Sequence, residues 1–347
     1  MASQVRDTAW LAWMASLLAA GSRQTQTATL PPGQFHCLLD ELPLHLIPRH
    51  ALHSQTWRRD LSQPLFLNPD CSVLSPGQLP AELESQRHLL EGFYLQHTLA
   101  WVCDPPVASL HPFWLGGQTE AAVMRLRSGE PASSLPEDVR FLLARAGLLA
   151  PEGHAERRRA AWNEIVGRQA PLFKAKGYAP LRSLIHPYHV AALRRYYRHA
   201  IRRRAIRLGD EQSSRRYVAH NESVARFFHH QMAKAVSAVV GEPVKPSYVY
   251  LASYLSGAEL KKHTDREQCE FSVTLCLDFS PEPDLETPWP IRLDVSGGSI
   301  ALYQALGDGL LYRGMKLPHS RRALAKGYTS TSIFFHYVPQ DFSGPLD

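Results

Sequence analysis

The sequence predicts an α+β protein in which a mixed, largely helical N-terminal half precedes two helices and an all-β barrel or sandwich. Stretches of helical periodicity occur up to about residue 241, and beyond Pro246 the hydrophobic period switches to two. Short apolar runs separated by Gly, Pro and Asp follow that switch. The chain has 347 residues, 44% hydrophobic and 20% charged, which is typical of a folded globular protein rather than a disordered or fibrous one.

The N-terminal half is predicted to comprise a helical and irregular region over residues 1–91 and a small winged-helix-like domain over residues 92–151. Near the start, bulky apolar side chains recur at helical spacing and predict an amphipathic helix: Trp10, Trp13, Met14, Leu17 and Leu18. In the second region, two runs indicate strands, GFYLQHTLAWVCD and HPFWLGG. Three further runs indicate helices, TEAAVMRLRSG, SLPEDVRFL and LLARAGLL, and the last two form one helix if Pro136 occupies an early helical position.

The order of elements in residues 92–151, with the phrases LRSGEPASSL and LLARAGLL, resembles the PqqD-like peptide-binding domains that accompany peptide-modifying enzymes. Those domains capture a leader peptide as an added edge strand. The resemblance implies a peptide-binding role for this region, and a purely structural accessory domain is the alternative.

The C-terminal half is predicted to begin with a helical linker at residues 152–171 and to continue as one domain over residues 172–347. A short strand is expected at Tyr178–Leu181, a long helix from Pro187, and a second helix that stops at Gly241. Alternating runs then predict about six strands: YVYLASYL, EFSVTLCLDF, IRLDV, SIALYQAL, GLLYRG and TSTSIFFHYV.

A His-x-Asp pair stands at the point where one of these strands is predicted to begin. Residues two apart in a strand face the same way, so His263 and Asp265 can present a nitrogen and an oxygen to one point in space. His319 supplies a second imidazole from a distant part of the chain. Two histidines and one carboxylate on a single face are the ligands of non-heme Fe(II) in oxygenases.

Residues 172–340 resemble the 2-oxoglutarate/Fe(II) dioxygenases, and among them the prolyl-4-hydroxylase-like group. The resemblance rests on GYAPLRSLIHPYHVAALRRYY, on the spacing Tyr254-x2-Gly257-x5-His263-x-Asp265, and on the region of His319. It implies a double-stranded β-helix (jelly roll) with flanking helices. It also implies that His263, Asp265 and His319 bind Fe(II) and that Tyr254 lines the pocket of the co-substrate 2-oxoglutarate.

The reaction that this resemblance implies is hydroxylation of a C–H bond, coupled to decarboxylation of 2-oxoglutarate to succinate. The substrate is expected to be a peptide or an amino-acid side chain. Two alternatives stay open: a nucleic-acid demethylase of the same superfamily, and a barrel that binds a ligand without catalysis. The dealkylating branch carries an Asn two residues before the tyrosine, where this chain has Ala252.

The last strand departs from the pattern of that family, which places an Arg or Lys in a G-x-[RK]-x-[ST] arrangement. The matching residues here are Gly327, Thr329 and Thr331, so a threonine stands where the cation is expected. A dianionic co-substrate in a partly buried pocket needs a positive partner or several hydrogen-bond donors.

Arg321 is the favoured substitute for the missing cation. It lies two residues after His319, so in a regular strand it faces the same interior. Its guanidinium can bind a carboxylate through two parallel hydrogen bonds. Arg313 and Lys326 are alternatives. The predicted co-substrate pocket thus comprises Tyr254, Arg321, Thr329 and Thr331.

The charge and the cysteine content indicate possible partners and the cellular compartment. The net charge is +6, with many basic residues in 194–216, which predicts either a solvated helix face or a footprint for nucleic acid. An odd number of cysteines without a CxxC pair indicates reduced thiols and a cytoplasmic location: Cys37, Cys71, Cys103, Cys269 and Cys276. No apolar run is long enough for a membrane span. The acidic loop with Glu282, Asp284 and Glu286 is expected to be solvated.

Overall fold

The computed structural model describes residues 33–53 and 63–347. The amphipathic helix predicted near the start of the chain lies outside the described residues. Within the described ranges, no helix combines the length and the apolarity that crossing a membrane requires.

The described ranges contain seven α-helices and sixteen strands. The helices are α1 (Arg49–His53), α2 (Ala81–Glu84), α3 (Gly117–Val123), α4 (Glu137–Ala146), α5 (His154–Lys176), α6 (Pro187–Arg202) and α7 (Ser223–Val240). The strands of the N-terminal half are β1 (Phe66–Leu67), β2 (Cys71–Leu74), β3 (Leu99–Asp104), β4 (Ser109–Trp114) and β5 (Leu149–Ala150). Those of the C-terminal half are β6 (Tyr178–Leu181), β7 (Arg207–Leu208), β8 (Arg216–His220), β9 (Val244–Tyr254), β10 (Leu260–His263), β11 (Phe271–Ser280), β12 (Ile291–Val295), β13 (Gly298–Leu302), β14 (Gly309–Arg313), β15 (His319–Arg321) and β16 (Thr329–Pro339).

The C-terminal half is built on two antiparallel sheets. The larger sheet has seven strands in the order β6-β14-β11-β16-β9-β8-β7, and the smaller has four in the order β10-β15-β12-β13. From β9 onward the chain alternates between them, with β9, β11, β14 and β16 in the larger sheet and β10, β12, β13 and β15 in the smaller. Strands that are far apart in the sequence, such as β10 and β15, thereby become neighbours.

The larger sheet is buried on both faces, and β11 is accordingly buried along almost its whole length. One face, which carries Leu251, Val273 and Phe335, packs against the helices and belongs to the main hydrophobic core. The opposite face contributes Ala252 and Cys276 to a second cluster of buried residues. Each strand of this sheet therefore divides its side chains between the helical layer and the interior.

The N-terminal half shares a core with the C-terminal helices. A three-stranded sheet has the order β2-β3-β4, and β1 pairs with β5. The ring of Phe35 lies 4.9 Å from that of Phe93 and 5.8 Å from that of Phe228 in α7, measured between centroids. The winged-helix-like assignment and the domain boundaries at residues 91, 151 and 171 stay predictions.

Several predicted elements are confirmed, and several short strands were missed. Strand β6 occupies Tyr178–Leu181, α6 begins at Pro187, and α7 is followed by Gly241. The two helical runs after Pro136 form the single helix α4. Strands β10 and β15 were not recognised because they are four and three residues long, which is too short to show a period.

Arg194 joins α6 to the larger sheet and to the loop after β11. Its side chain is only 1% exposed, and it donates to Asp278 Oδ1 at 2.9 Å and to Glu282 Oε2 at 2.7 Å. Arg198 donates to both oxygens of Asp278. The prediction of a fully solvated acidic loop was therefore wrong for Glu282, because its carboxylate is the partner of a buried cation.

The basic stretch 194–216 is only partly a solvated face. Arg194 and Arg198 are bound to carboxylates, and Arg216 is buried against Asp210 with Nε 2.9 Å from Oδ2. Arg202 in the same stretch is exposed. Charges that are neutralised internally add little to a surface for polyanions, which weakens the electrostatic basis of the nucleic-acid alternative.

The substitution Arg194→Met is expected to lower the free energy of unfolding by about 3–5 kcal/mol. The methionine fills much of the volume but leaves two buried carboxylates short of a partner. Arg202→Met is the matched control on the same helix, with an expected change within about 0.5 kcal/mol because the side chain is exposed. Urea unfolding at neutral pH measures both, and equal effects would contradict a structural role for the Arg194 ion pairs.

His189 is a buried histidine between α6 and the N-terminal sheet. Its Nε2 donates to the carbonyl of Pro112 at 2.7 Å, and its ring stacks on Phe113 with centroids 4.6 Å apart. Nδ1 has no hydrogen-bond partner among the described residues. Burial holds the pKa of His189 well below its usual range, and the neighbouring imidazoles of His111 and His186 act in the same direction.

Acidification is therefore expected to destabilise the fold. A histidine whose pKa is lower in the folded than in the unfolded state contributes stability that is complete above about pH 6.5 and is lost as the pH falls below it. His189→Gln keeps a donor for Pro112 but cannot titrate, so it should reduce the pH dependence by up to about 1.4 kcal/mol per pH unit. Urea unfolding between pH 7.5 and 5 tests this, with the exposed His88→Gln as control.

Candidate metal centre and adjoining cleft

The candidate site lies where β10 pairs with β15. His263 stands directly opposite His319 in this pair, and the ring centroids are 4.3 Å apart. Asp265 Oδ1 lies 3.6 Å from Nε2 of His263 and 3.4 Å from Nε2 of His319. The structure thus brings together all three residues predicted as metal ligands, with one ligand atom from each within 4.8 Å of the others.

The local reason for this convergence differs from the predicted one. His263 is the last residue of β10, and Asp265 lies in the loop between β10 and β11 rather than at the start of a strand. The loop is held by the main chain, since the N–H of Asp265 donates to the carbonyl of Gly314 at 3.0 Å. A turn of the chain, and not strand alternation, therefore places the carboxylate beside the imidazole.

Both imidazoles turn Nε2 towards the carboxylate and Nδ1 towards a main-chain carbonyl. Nδ1 of His263 lies 2.8 Å from the carbonyl of Lys261, and Nδ1 of His319 lies 3.1 Å from that of Leu317. A carbonyl only accepts, so both Nδ1 atoms carry the proton, and in the neutral ring Nε2 then holds a lone pair. Two lone pairs and a carboxylate oxygen thus face one another, which is the arrangement that a cation stabilises.

Asp265 is in the protonation state that a metal ligand needs. Burial by itself raises the pKa of this carboxyl, but the adjacent His319, the nearby His336 and the hydroxyl of Ser272 outweigh burial and bring the pKa to about 2. Burial lowers the pKa of His263. The carboxylate is therefore ionised and the imidazole of His263 is neutral at physiological pH, as metal binding requires.

A cleft of about 430 Å³ opens onto this centre. Its walls include the aromatic rings of Tyr248, Tyr250 and Phe334, and the guanidinium of Arg266 lies over the Tyr248 ring, 4.6 Å from the centroid. Cavities of this size hold small molecules or one side chain with its neighbours. The cleft is thus wide enough for a ligand beside the metal position.

Arg321 and Tyr254 lie in the interior between the two sheets, as predicted. Arg321 is 4% exposed, and its Nη1 donates to the carbonyl of Trp289 at 2.7 Å. No carboxylate within the described part of the chain pairs with it, and its Nε has no hydrogen-bond partner there. Burial lowers the pKa of Arg321, and Tyr254 is among the groups that counteract this. A buried guanidinium whose protein partners are neutral oxygens can still bind an anion.

Thr329 and Thr331, predicted in the same pocket, lie on the other face of the sheet. The hydroxyl of Thr331 is 2.8 Å from that of Ser253, and both threonines line a separate cavity beside α6. Side chains alternate along β16, so Ser332, one residue further on, takes the interior position. Its Oγ is buried without a partner in the described residues. The prediction that the two threonines line the pocket is therefore corrected by the strand register.

The two alternative cations are not in the interior. Arg313 lies over the rings of Phe173 and Phe271, at 5.2 Å from each centroid, and Nη1 is 3.4 Å from Glu270 Oε1. Lys326 is exposed. Of the three candidates weighed from the sequence, only Arg321 faces the space between the sheets.

Arg216 is a residue of this region that sequence analysis missed. Its Nη1 donates to the hydroxyl of Tyr254 at 3.3 Å, while Nε binds Asp210. The hydroxyl of Tyr250 donates to the same carboxylate at 2.6 Å. Nothing local distinguishes Arg216 from the other basic residues of its stretch, because its role depends on the pairing of β8 with β9.

No protein-family model matches the sequence, and no curated protein matches it either. Solved structures are similar to about half of the chain. A prolyl-4-hydroxylase from Pseudomonas putida is 13% identical with a TM-score of 0.41, over 51% of this chain and 100% of that one. HygX from Streptomyces hygroscopicus, with nickel, 2-oxoglutarate and hygromycin B bound, is 13% identical with a TM-score of 0.40, over 50% and 87%. The alpha-ketoglutarate-dependent carbocyclase SnoK from nogalamycin biosynthesis is 9% identical with a TM-score of 0.44, over 52% and 86%. At such identities the chemistry of this site has to be interpreted from its own residues.

Proposed function

We propose that the protein is an Fe(II)- and 2-oxoglutarate-dependent oxygenase that hydroxylates a C–H bond of a peptide or an amino-acid side chain. One observation carries the proposal. Two imidazole lone pairs and the ionised carboxylate of Asp265 face one another beside an open cleft. Three protein ligands on one side leave the other positions of an octahedral metal free for co-substrate and oxygen.

The order of the strands supports a double-stranded β-helix as the scaffold. Apart from the β12–β13 hairpin, the chain passes between the larger and the smaller sheet from one strand to the next, as in a jelly roll in which two sheets enclose one interior. The candidate ligands lie at one end of that interior, on and next to the smaller sheet. We assign residues 172–347 to this domain and the preceding residues to accessory regions.

In this proposal His263, Asp265 and His319 hold the metal. When bound, iron and 2-oxoglutarate would supply the oxidising chemistry with dioxygen, one oxygen atom going to the succinate formed as the co-substrate loses carbon dioxide and the other to the hydroxyl group of the product. The protein holds the ligand atoms in place through the Nδ1 hydrogen bonds to the carbonyls of Lys261 and Leu317.

Arg321 and Ser332 receive the distal carboxylate of the co-substrate. Among the described residues, neither Nε of Arg321 nor Oγ of Ser332 has a hydrogen-bond partner and both atoms are buried, so a carboxylate that reached them would accept from two donors. The phenol of Tyr254 is fixed by Arg216 and lines the same interior. These residues replace the threonines and the strand cation that the sequence pattern suggested.

The cleft sets the scale of the substrate. With about 430 Å³ beside the metal position, it accommodates a side chain or a small molecule rather than a folded domain. The rings of Tyr248, Tyr250 and Phe334 offer apolar contact, and Arg266 offers a positive charge at the rim. An amino-acid side chain carried by a peptide meets these conditions.

Replacing a proposed ligand should weaken metal binding. His263→Ala, Asp265→Ala and His319→Ala are each expected to weaken Co(II) binding by roughly 100-fold, since one ligand contributes about 3 kcal/mol. Isothermal titration with Co(II) measures the affinity, and succinate release with Fe(II), 2-oxoglutarate and oxygen measures turnover. His88→Ala, which removes an exposed histidine of the N-terminal half, is the control. Unchanged Co(II) affinity in all three variants would exclude the metal centre.

The co-substrate pocket is tested by a pair of variants on opposite faces of the sheet. Arg321→Met and Ser332→Ala should weaken 2-oxoglutarate binding to the Co(II)-loaded protein, by roughly 10- to 100-fold for the arginine because it removes a charged donor. Thr331→Ala should leave the affinity unchanged, since its hydroxyl points to Ser253. Titration calorimetry measures the affinities. If Thr331→Ala weakens 2-oxoglutarate binding and the other two variants do not, the co-substrate binds on the face of the sheet that carries the threonines.

A further inference from the structure

Asp265 presents its two oxygens to different partners. Oδ1 faces the imidazoles of His263 and His319, whereas Oδ2 lies 2.9 Å from the hydroxyl of Ser272 in β11. The same hydroxyl is 2.9 Å from Nδ1 of His336 in β16. Ser272 and His336 stand directly opposite each other in the β11–β16 pair, so the larger sheet fixes their separation.

The direction of these hydrogen bonds follows from the groups involved. An ionised carboxylate only accepts, so the single hydroxyl proton of Ser272 goes to Asp265. The oxygen of Ser272 then accepts from His336, which must carry a proton on Nδ1. His336 therefore donates to Ser272, and Ser272 donates to Asp265.

The surroundings hold this chain in place. The Tyr248 ring packs on His336 with centroids 4.6 Å apart, and the main-chain carbonyl of His336 accepts from Nε2 of His229 at 2.7 Å. His336 is 6% exposed and Ser272 is fully buried. Gly314 leaves the space that the carboxylate occupies, because a Cβ at this position would collide with Asp265 Oδ2 and the Ser272 hydroxyl. The carboxylate is thus confined on the side away from the imidazoles.

We infer that Ser272 and His336 are positioning residues, which orient Asp265 so that Oδ1 alone is offered to the metal. This inference rests on the proposed function, because it assigns the role of two residues towards that metal. Outer hydrogen-bond partners of a ligand typically change metal affinity by 10- to 100-fold. Neither residue touches the metal position itself, so the effect passes through the carboxylate.

A second ion between Asp265, Cys269 and His336 is the competing interpretation of the same cluster, since these three also offer ligand atoms within 4.8 Å of one another. The thiol of Cys269 is 1% exposed and lies 3.0 Å from the hydroxyl of Tyr248, and Nδ1 of His336 is engaged by Ser272. These hydrogen bonds engage both side chains without an ion. The two interpretations differ in the number of metal ions per chain.

The test measures the affinity and stoichiometry of Co(II) by isothermal titration, together with the visible absorption spectrum of the bound ion. Ser272→Ala and His336→Leu should each weaken binding by about 10- to 100-fold and change the spectrum, because the carboxylate can rotate. His336→Asn should bind within about threefold of the unaltered protein, because its amide nitrogen replaces Nδ1 as the donor. Ser253→Ala removes an equally buried hydroxyl from the other face of the sheet and should have no effect.

Each outcome separates the inference from the proposed function. If Ser272→Ala binds Co(II) as tightly as the unaltered protein while His319→Ala does not, the pair has no positioning role and the metal centre stands. If His336→Asn is as weak as His336→Leu, the donor role of Nδ1 is wrong. Two ions per chain, with the second lost in Cys269→Ser, would establish the second site instead. Equal binding by His319→Ala and the unaltered protein would remove the metal centre itself. Thermal unfolding confirms that each variant is folded.

Discussion

The antiparallel pairing of β10 with β15 is the constraint on which the site depends. It places His263 opposite His319, and β12 on the other side of β15 holds that short strand between two neighbours. Because side chains alternate along a strand, a slip of one residue would turn both His319 and Arg321 away from the interior. The positions of His263, His319 and Arg321 are therefore set by a single register.

The buried arginines differ in whether a carboxylate of the chain compensates their charge. Arg194 and Arg216 are each bound by carboxylates, so their burial is compensated within the chain. Arg321 is equally buried, but among the described residues it has neutral oxygens as its partners. An anion would stabilise a guanidinium in such surroundings, and this contrast with Arg194 and Arg216 supports the proposed role of Arg321.

The larger sheet performs two tasks because both of its faces are buried. On one face Val273 and Phe335 pack with the helices, and on the other the polar residues Ser272 and His336 reach the carboxylate of Asp265. A polar pair in such a position is tolerated only when its hydrogen bonds are satisfied. The larger sheet thus contacts the carboxylate of Asp265, while the smaller sheet carries the two imidazoles.

The sequence by itself determined the sequence of helices and longer strands, since their hydrophobic periods are local, and it singled out His263, Asp265 and His319 through a motif and its spacing. It could not decide that Ser332 rather than Thr331 faces the interior, because that choice depends on the register of β16 against β9 and β11. It also could not reveal β10 and β15, which are too short to have a period, or the partnership of Ser272 with His336. Those features arise from hydrogen bonding between strands far apart in the chain, and only the tertiary structure brings such strands together.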